Sequence, residues 1–224
     1  MSPAVPQGRT SATTVGRSAV AVGRPIHSVG GETRQRLIDA ALDTLREQGI
    51  TGATGRCIAR RGAINQALIF YHFGSVDGLL TATARAEGAR RAARYASAFE
   101  AVTSLTELVA VARKVHEDEQ RDGAVTVLAQ LIAGSSASPE LQAGVFDAMR
   151  PWLALVEEAI HRVVADSPFK GLVSGGDLAF TISSFFIGFE MMTSLDPTSD
   201  RAVTLFDALE RLAVLFGGLI GGTR

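Results

Sequence analysis

The chain has 224 residues, of which 46% are apolar and 20% charged, a composition typical of a folded protein with a sizeable core. Cys57 is its one cysteine, which excludes an internal disulfide, and we expect a reducing, cytoplasmic location. The N-terminus lacks the apolar run of a signal sequence. The apolar segment 203–220 carries three charged residues, which argues against a membrane span.

The net charge of −1 conceals a strong asymmetry along the chain. Residues 1–95 hold 13 arginines and 6 acidic residues, a balance of +7, whereas residues 96–224 hold 9 basic and 17 acidic residues, a balance of −8. This split predicts that the first part meets a polyanion. A chance distribution of charge is the alternative.

Residues 1–30 contain three prolines, three arginines and no acidic residue. We expect a disordered basic arm, because such a segment cannot bury a core. The arm either contacts the polyanion or is an inert tail.

From Thr33 the pattern becomes helical, since Leu37, Ala41 and Leu45 recur every four residues. Gly49 is predicted to stop this first helix. Three N-caps then predict three more helices: Thr54 for a short helix to about Gly62, Asn65 for a short helix over about 66–71, and Ser75 for a longer fourth helix.

The remaining chain also predicts helices, and it lacks the alternating pattern of strands. The signals are a capping box at Ser104–Glu107, a segment from Asp122 to Gly134, an N-cap and proline at Ser138–Pro139 for a helix toward Val164, and two apolar segments, Asp177–Leu195 and Ser199–Phe216. We therefore predict an all-α fold of about nine helices.

Residues 33–80 resemble the TetR family, with the order and spacing of several short motifs agreeing. These motifs are Leu37-Ile38-Asp39-Ala40-Ala41, Gly49, Ile58-Ala59, the run from Ile64 to Ser75 with its Tyr71-His72-Phe73, and Leu79-Leu80. The resemblance implies a helix-turn-helix DNA-binding domain at 31–76, followed by a larger helical ligand-binding and dimerisation domain at 77–224.

Two positions depart from the family pattern. Ala63 stands where the family has glycine before Ile64, with Gly62 one residue earlier, so the second helix is expected to end one residue early. Val76-Asp77 replaces a lysine and a glutamate, which removes one expected phosphate contact.

The resemblance implies that the third helix enters the major groove. Asn65 and Gln66 are suited to hydrogen bonds with adenine edges, and Ala67 is suited to contact with a thymine methyl. The neighbouring hydroxyl, arginine and aromatic side chains are suited to contacts with phosphates. The predicted DNA-binding residues are Thr54, Arg56, Arg60, Arg61, Asn65, Gln66, Ala67, Phe70, Tyr71 and His72. Alternatives stay open: Asn65 as a cap only, Phe70 and Phe73 as core residues, and Arg60 and Arg61 as a solvated face.

The resemblance further implies that the last two helices pair with those of a second subunit. Both segments are apolar over much of their surface, which requires cover on more than one side. The alternative is the core of a monomer. Inner helices would enclose a pocket for a lipophilic inducer, with candidate lining residues His116, Gln130, Phe146, Met149, Trp152, Phe186 and Glu190.

We therefore predict a repressor that binds a palindromic operator as a homodimer and is released by a small ligand, with no cofactor, catalytic residue or metal. One rival is a helical interaction protein without DNA binding, which the Ala63 departure keeps open. An enzyme is the other rival, but the scattered histidines form no HExxH pair, and 171–176 lacks a phosphate-loop ending. The cluster His116-Glu117-Asp118-Glu119 is a metal-site alternative to a solvated helix face.

Overall fold

The computed structural model describes Met1 and residues 26–136, 138–165, 170–171 and 173–220. These residues form nine helices and no strand, which confirms the all-α prediction. The helices are α1 (Ile26–Gly52), α2 (Gly55–Arg61), α3 (Ala67–Phe73), α4 (Val76–Glu100), α5 (Leu105–Asp122), α6 (Ala124–Ser135), α7 (Pro139–Val164), α8 (Gly175–Ser194) and α9 (Arg201–Ile220).

The predicted basic arm lies largely outside the described residues, at 2–25. Its last five residues were predicted wrongly, because α1 begins at Ile26, seven residues before the expected start at Thr33. Gly49 breaks α1 with φ 69° and ψ −177°, and a further turn continues to Gly52. The expected stop at Gly49 is therefore a kink.

Most of the predicted caps are confirmed. Ser75, Ser104 and Ser138 each accept a hydrogen bond from the backbone three residues on, and Ser104 forms the full capping box with Glu107. The start of α6 was predicted wrongly. Asp122 closes α5, and Gly123, with φ 63°, lets the chain turn directly into α6.

The first hydrophobic core begins with the predicted apolar repeat of α1. Leu37, Ala41 and Leu45 are fully buried, together with Ile58 of α2 and Ile69 of α3. The same core extends into α4, α6 and α7 through Leu79, Val127, Leu131, Leu141 and Val145. The helix-turn-helix segment thus rests on the helices that follow it.

A second core joins α4, α5, α7 and α8, and includes Tyr95, Phe99, Val115, Val156 and Ile160. Between the two cores α4 and α7 are in close contact. A Cβ on Gly88 would meet the carbonyl oxygen of Ala148 at 2.1 Å, and one on Gly144 would meet Thr81 at 2.3 Å. Two glycines therefore set the separation of these helices. No helix in the described part of the chain is long and apolar enough to cross a membrane.

Candidate nucleic-acid interface and ligand cavity

The turn between α2 and α3 is closed by backbone hydrogen bonds. The amide of Gly62 donates to Ile58, and the amide of Ile64 donates to Ala59 at 2.9 Å. Ala63 between them has φ 50° and is the one non-glycine residue with positive φ among those described. Ala63, the strained residue, stands where the family pattern has glycine. Helix α2 ends at Arg61, which confirms the prediction that it ends one residue early.

The start of α3 and the two residues before it face outward. Asn65, Gln66 and Ala67 are exposed, and Tyr71 is 80% exposed. Ile69 on the opposite face is fully buried, and Leu68 and Phe73 pack against the first core. The predicted DNA-reading residues are therefore exposed, with the Gln66 amide lying beside Gly55 of α2.

Asn65, just before α3, and Phe70 within it concern two of the alternatives left open by the sequence. Asn65 accepts a hydrogen bond from the amide of Ala67 at 2.9 Å, so it does act as a cap, and the helix begins one residue later than predicted. Phe70 is 52% exposed, so the alternative that it fills the bundle is wrong, because its position on α3 faces away from Ile69. His72 is half-buried and stacks edge-on against Tyr71, with ring centroids 4.9 Å apart.

Helix α2 supplies the predicted hydroxyl and arginines. Thr54 caps the helix by accepting from the amide of Cys57, and Arg56 and Arg60 are exposed. Arg61 forms an ion pair with Glu47 of α1, which offsets part of its charge. The sequence reasoning missed Arg36, whose guanidinium donates to the Gly62 carbonyl at 2.7 Å and places a cation beside the turn. Nothing in the sequence pattern indicated this contact, because Arg36 and Gly62 are 26 residues apart.

An apolar cavity of about 60 Å³ lies between α4, α6, α7 and α8, and we call it the inner cavity. Three of the predicted ligand residues, Met149, Trp152 and Phe186, line it. Its other lining residues are Thr83, Ala84, Glu87, Gly88, Arg91, Ala124, Val125, Val127, Leu128, Leu131, Ala148, Ser183 and Ile187. A second apolar space of about 60 Å³, the rear cavity, shares Trp152, Ser183 and Phe186 with it and is also lined by Phe99, Leu108 and Val156.

The other predicted ligand residues line neither cavity. Phe146 is 49% exposed on the outer face of α7, below Arg150. Gln130 faces Gly49 of α1. His116 and Glu190 pair with each other in a buried contact between α5 and α8, with Nδ1 2.7 Å from Oε1. Burial raises the pKa of Glu190 although His116 opposes this shift.

A polar opening of about 360 Å³, which we call the mouth, adjoins the inner cavity and shares Glu87, Arg91 and Ala124 with it. Its remaining lining residues are Arg46, Arg90, Arg94, Tyr95, Glu119, Arg121 and Asp122. Burial and the carboxylate of Asp118 raise the pKa of Tyr95 to about 12. In the cluster His116-Glu117-Asp118-Glu119, His116 pairs with Glu190 and Glu119 pairs with Arg91. No group of three or more side chains that could hold a metal ion occurs among the described residues.

Residues 37–83 match the family model described as bacterial regulatory proteins, tetR family. Over this N-terminal segment the chain is similar to TetR-family regulators. The HTH-type transcriptional regulator BetI of Paraburkholderia phytofirmans is 44% identical over 52 residues, or 23% of this chain and 27% of that protein. BetI 2 of Chromohalobacter salexigens is 29% identical over 131 residues, or 58% of this chain and 54% of that protein. The chain thus spans about half or less of these curated relatives.

Solved structures share the TetR fold over most of this chain. The fatty acid degradation regulator FadR from Bacillus halodurans has a TM-score of 0.65 at 17% identity, covering 86% of this chain and 96% of that one. FadR from Bacillus subtilis, in complex with stearoyl-CoA, has a TM-score of 0.62 at 14% identity, covering 85% and 99%. These relatives and neighbours are themselves described as regulators.

The second departure from the TetR pattern has a packing consequence. Val76 is half-buried and packs against the first core, and a Cβ on Gly55 of α2 would come within 3.1 Å of it. A valine here supports α2 instead of reaching toward phosphate.

The last two helices carry a broad exposed apolar surface. Its members are Phe180, Phe185, Met191, Met192 and Leu195 on or next to α8, and Val203, Leu212, Val214, Leu215 and Phe216 on α9. Phe185 is 63% and Leu215 70% exposed, so the alternative that these side chains fill a monomer core is wrong. Phe206 and Ala213 on α9 do face inward.

Proposed function

We propose that this chain is a transcriptional repressor that reads a palindromic operator through α3. The observation that carries the proposal is the exposed start of α3, with Gln66 and Ala67, next to α2, which carries the exposed Arg56 and Arg60. Gln suits the adenine edge and arginine suits phosphate, so base contacts and backbone contacts lie on one surface.

The exposed apolar surface of α8 and α9 supports a homodimer as the operator-binding form. An apolar patch of this extent is rare on a monomer and marks an interaction site. Two copies related by a twofold axis would place two α3 helices on one face of the duplex, about 34–36 Å apart.

The inner and rear cavities support a lipophilic ligand as the signal that releases DNA. They lie against α4, whose first residues Leu79 and Leu80 pack beside α3 in the first core. A ligand that prefers a different position of α4 over α7 shifts the dimer away from the DNA-bound form. The stearoyl-CoA held by the Bacillus subtilis neighbour is consistent with a long apolar ligand in this fold.

The decisive experiment is selection of bound DNA from a random duplex pool, followed by affinity measurement on the selected site. We expect a palindrome, and we expect Gln66→Ala to lose about 1–3 kcal/mol of discrimination at one position in each half-site. Gln142→Ala, an exposed glutamine of α7, is the matched control and should leave discrimination unchanged. A failure to enrich any sequence at low salt would favour the interaction protein without DNA binding.

A further inference from the structure

We propose that the two cavities bind a long-chain alkyl or acyl anion, with its tail in the apolar cavities and its acidic group at the mouth. This inference rests on the proposed ligand site and names the class of molecule that fits it. Three features carry it: the continuity of the apolar space, the charge of the mouth and a buried hydroxyl along the path.

The apolar space is elongated. The inner and rear cavities meet at Trp152, Ser183 and Phe186, so these side chains form a partition between them. Each cavity alone is smaller than the roughly 150 Å³ that holds a benzene ring. A ligand of more than a few carbons must therefore move the partition and occupy both cavities. An unbranched chain does so with less disturbance than a bulky ring system.

The mouth favours a negative group. Its lining contains five arginines, from α1, α4 and α5, against the three carboxylates of Glu87, Glu119 and Asp122. Asp118, outside the lining, pairs with Arg94, Lys114 and Arg121. The side chains of Arg90, Arg94 and Arg121 are 53%, 50% and 67% exposed, and their ion pairs with Glu87, Asp122 and Asp118 are of the exposed, weak kind that an anionic ligand can exchange. The formal balance of the lining is +2, which attracts an anion and disfavours a cation.

Arg91 links the mouth to the apolar space. Its side chain is 13% exposed, forms an ion pair with Glu119, and lies over the Trp152 ring with 4.7 Å between guanidinium carbon and ring centroid. Arg91 therefore places a positive charge where the mouth meets the inner cavity. Ser183 is 3% exposed, and its hydroxyl has no hydrogen-bond partner among the described residues. It offers one donor to a carbonyl or ether oxygen on a passing chain.

The partition supplies its own reporter, because Trp152 is the only tryptophan of the chain. We would titrate the full-length protein, without DNA, with dodecanoate, dodecanol and dodecyltrimethylammonium below their micellar concentrations and follow tryptophan fluorescence. Dodecanoate should bind at least about tenfold more tightly than dodecanol, and the ammonium most weakly. Equal or tighter binding of the alcohol or the ammonium would overturn the proposal.

A charge variant tests the mouth directly. Arg90→Gln should weaken dodecanoate binding about two- to fivefold, the range of an exposed charge pair, and leave dodecanol unchanged. Arg85→Gln is the matched control, since Arg85 lies on the same helix, is 56% exposed and pairs with Asp147 outside the mouth. Equal effects of the two variants would exclude a role of the mouth in binding the acid group.

Two further arms separate related outcomes. Dodecanoyl-CoA tests the source of the anion: tighter binding than dodecanoate, with a larger loss in Arg90→Gln, assigns the site to thioesters, and the reverse assigns it to free acids. Operator DNA tests the link to regulation. Anion binding without DNA release leaves this proposal standing and defeats the release mechanism. If the protein binds DNA but no alkyl probe changes its fluorescence, this proposal fails and the proposed DNA-binding function stands.

Discussion

Ala63 holds the turn of the helix-turn-helix in a conformation that suits glycine. Its φ of 50° costs an L-residue about 1–2 kcal/mol. The hydrogen bonds of Gly62 and Ile64 to α2 fix this conformation, so the strain stays in the folded state. The chain tolerates the residue because the surrounding core determines the backbone there.

Replacing Ala63 with glycine should therefore stabilise the protein by about 0.5–1 kcal/mol, the relieved strain less the added freedom of the unfolded chain. Gly74→Ala, at a φ of 75° after α3, should destabilise it by about 1 kcal/mol. Urea denaturation measures both changes. A loss of stability in Ala63→Gly would show that the turn is not strained.

Residue types with local roles were predictable, and those with distant partners were not. Thr54, Ser75 and Ser104 act on their own helix within three residues, so the sequence pattern alone located them. Phe146 and Gln130 were expected to line the ligand pocket but line neither cavity, because the side of a helix that faces a cavity depends on how α7 and α6 pack. Ser183 and Arg91 gave no signal for the same reason.

At the scale of elements, α5 and α8 are joined by the buried contact of His116 with Glu190. Phe189 and Phe206 enclose the imidazole, with ring centroids 5.3 and 5.4 Å away. The raised pKa of Glu190 means that its ionised form is disfavoured by burial. A carboxyl group of this kind stabilises the fold at low pH, below its unfolded pKa, and this contribution is lost as pH rises through its folded value.

Glu190→Gln should consequently raise the melting temperature at neutral pH, since the amide retains a hydrogen-bond partner for His116 without a buried charge. The gain should shrink as the pH falls through the folded pKa of Glu190. Glu190→Ala is the contrasting variant and should lose about 1–3 kcal/mol because it leaves His116 unpaired. Thermal melts between pH 4 and 8 would show this, and an unchanged difference across that range would contradict it.

At the scale of the whole molecule, the charge asymmetry is smaller than the sequence suggested. Arg85, Arg91 and Arg94 belong to the basic part but pair with acidic residues of the second part. The positive surplus available to DNA is concentrated on α2, which carries three arginines and no acidic residue. This pairing was not visible in the sequence, because it depends on α4 lying against α5 and α7.

The proposed dimer gives the last prediction. Phe185→Glu places a charge in the exposed surface of α8 and should raise the dimer dissociation constant at least about tenfold, with operator binding weakened in parallel. Phe146→Glu, an exposed phenylalanine of α7 49% accessible, is the control and should leave both unchanged. Light scattering after size-exclusion chromatography gives the mass. A dimer that survives Phe185→Glu would place the interface elsewhere.

The first hydrophobic core includes α1, α2 and α3 together with α6 and α7, and this has a mechanical consequence. The proposed DNA-reading helices and the helices α6 and α7 that line the inner cavity therefore share one packed core. Close-packed side chains transmit a small displacement instead of absorbing it. A sub-ångström displacement of α6 or α7 against α1 is therefore expected to change the orientation of α3 as well.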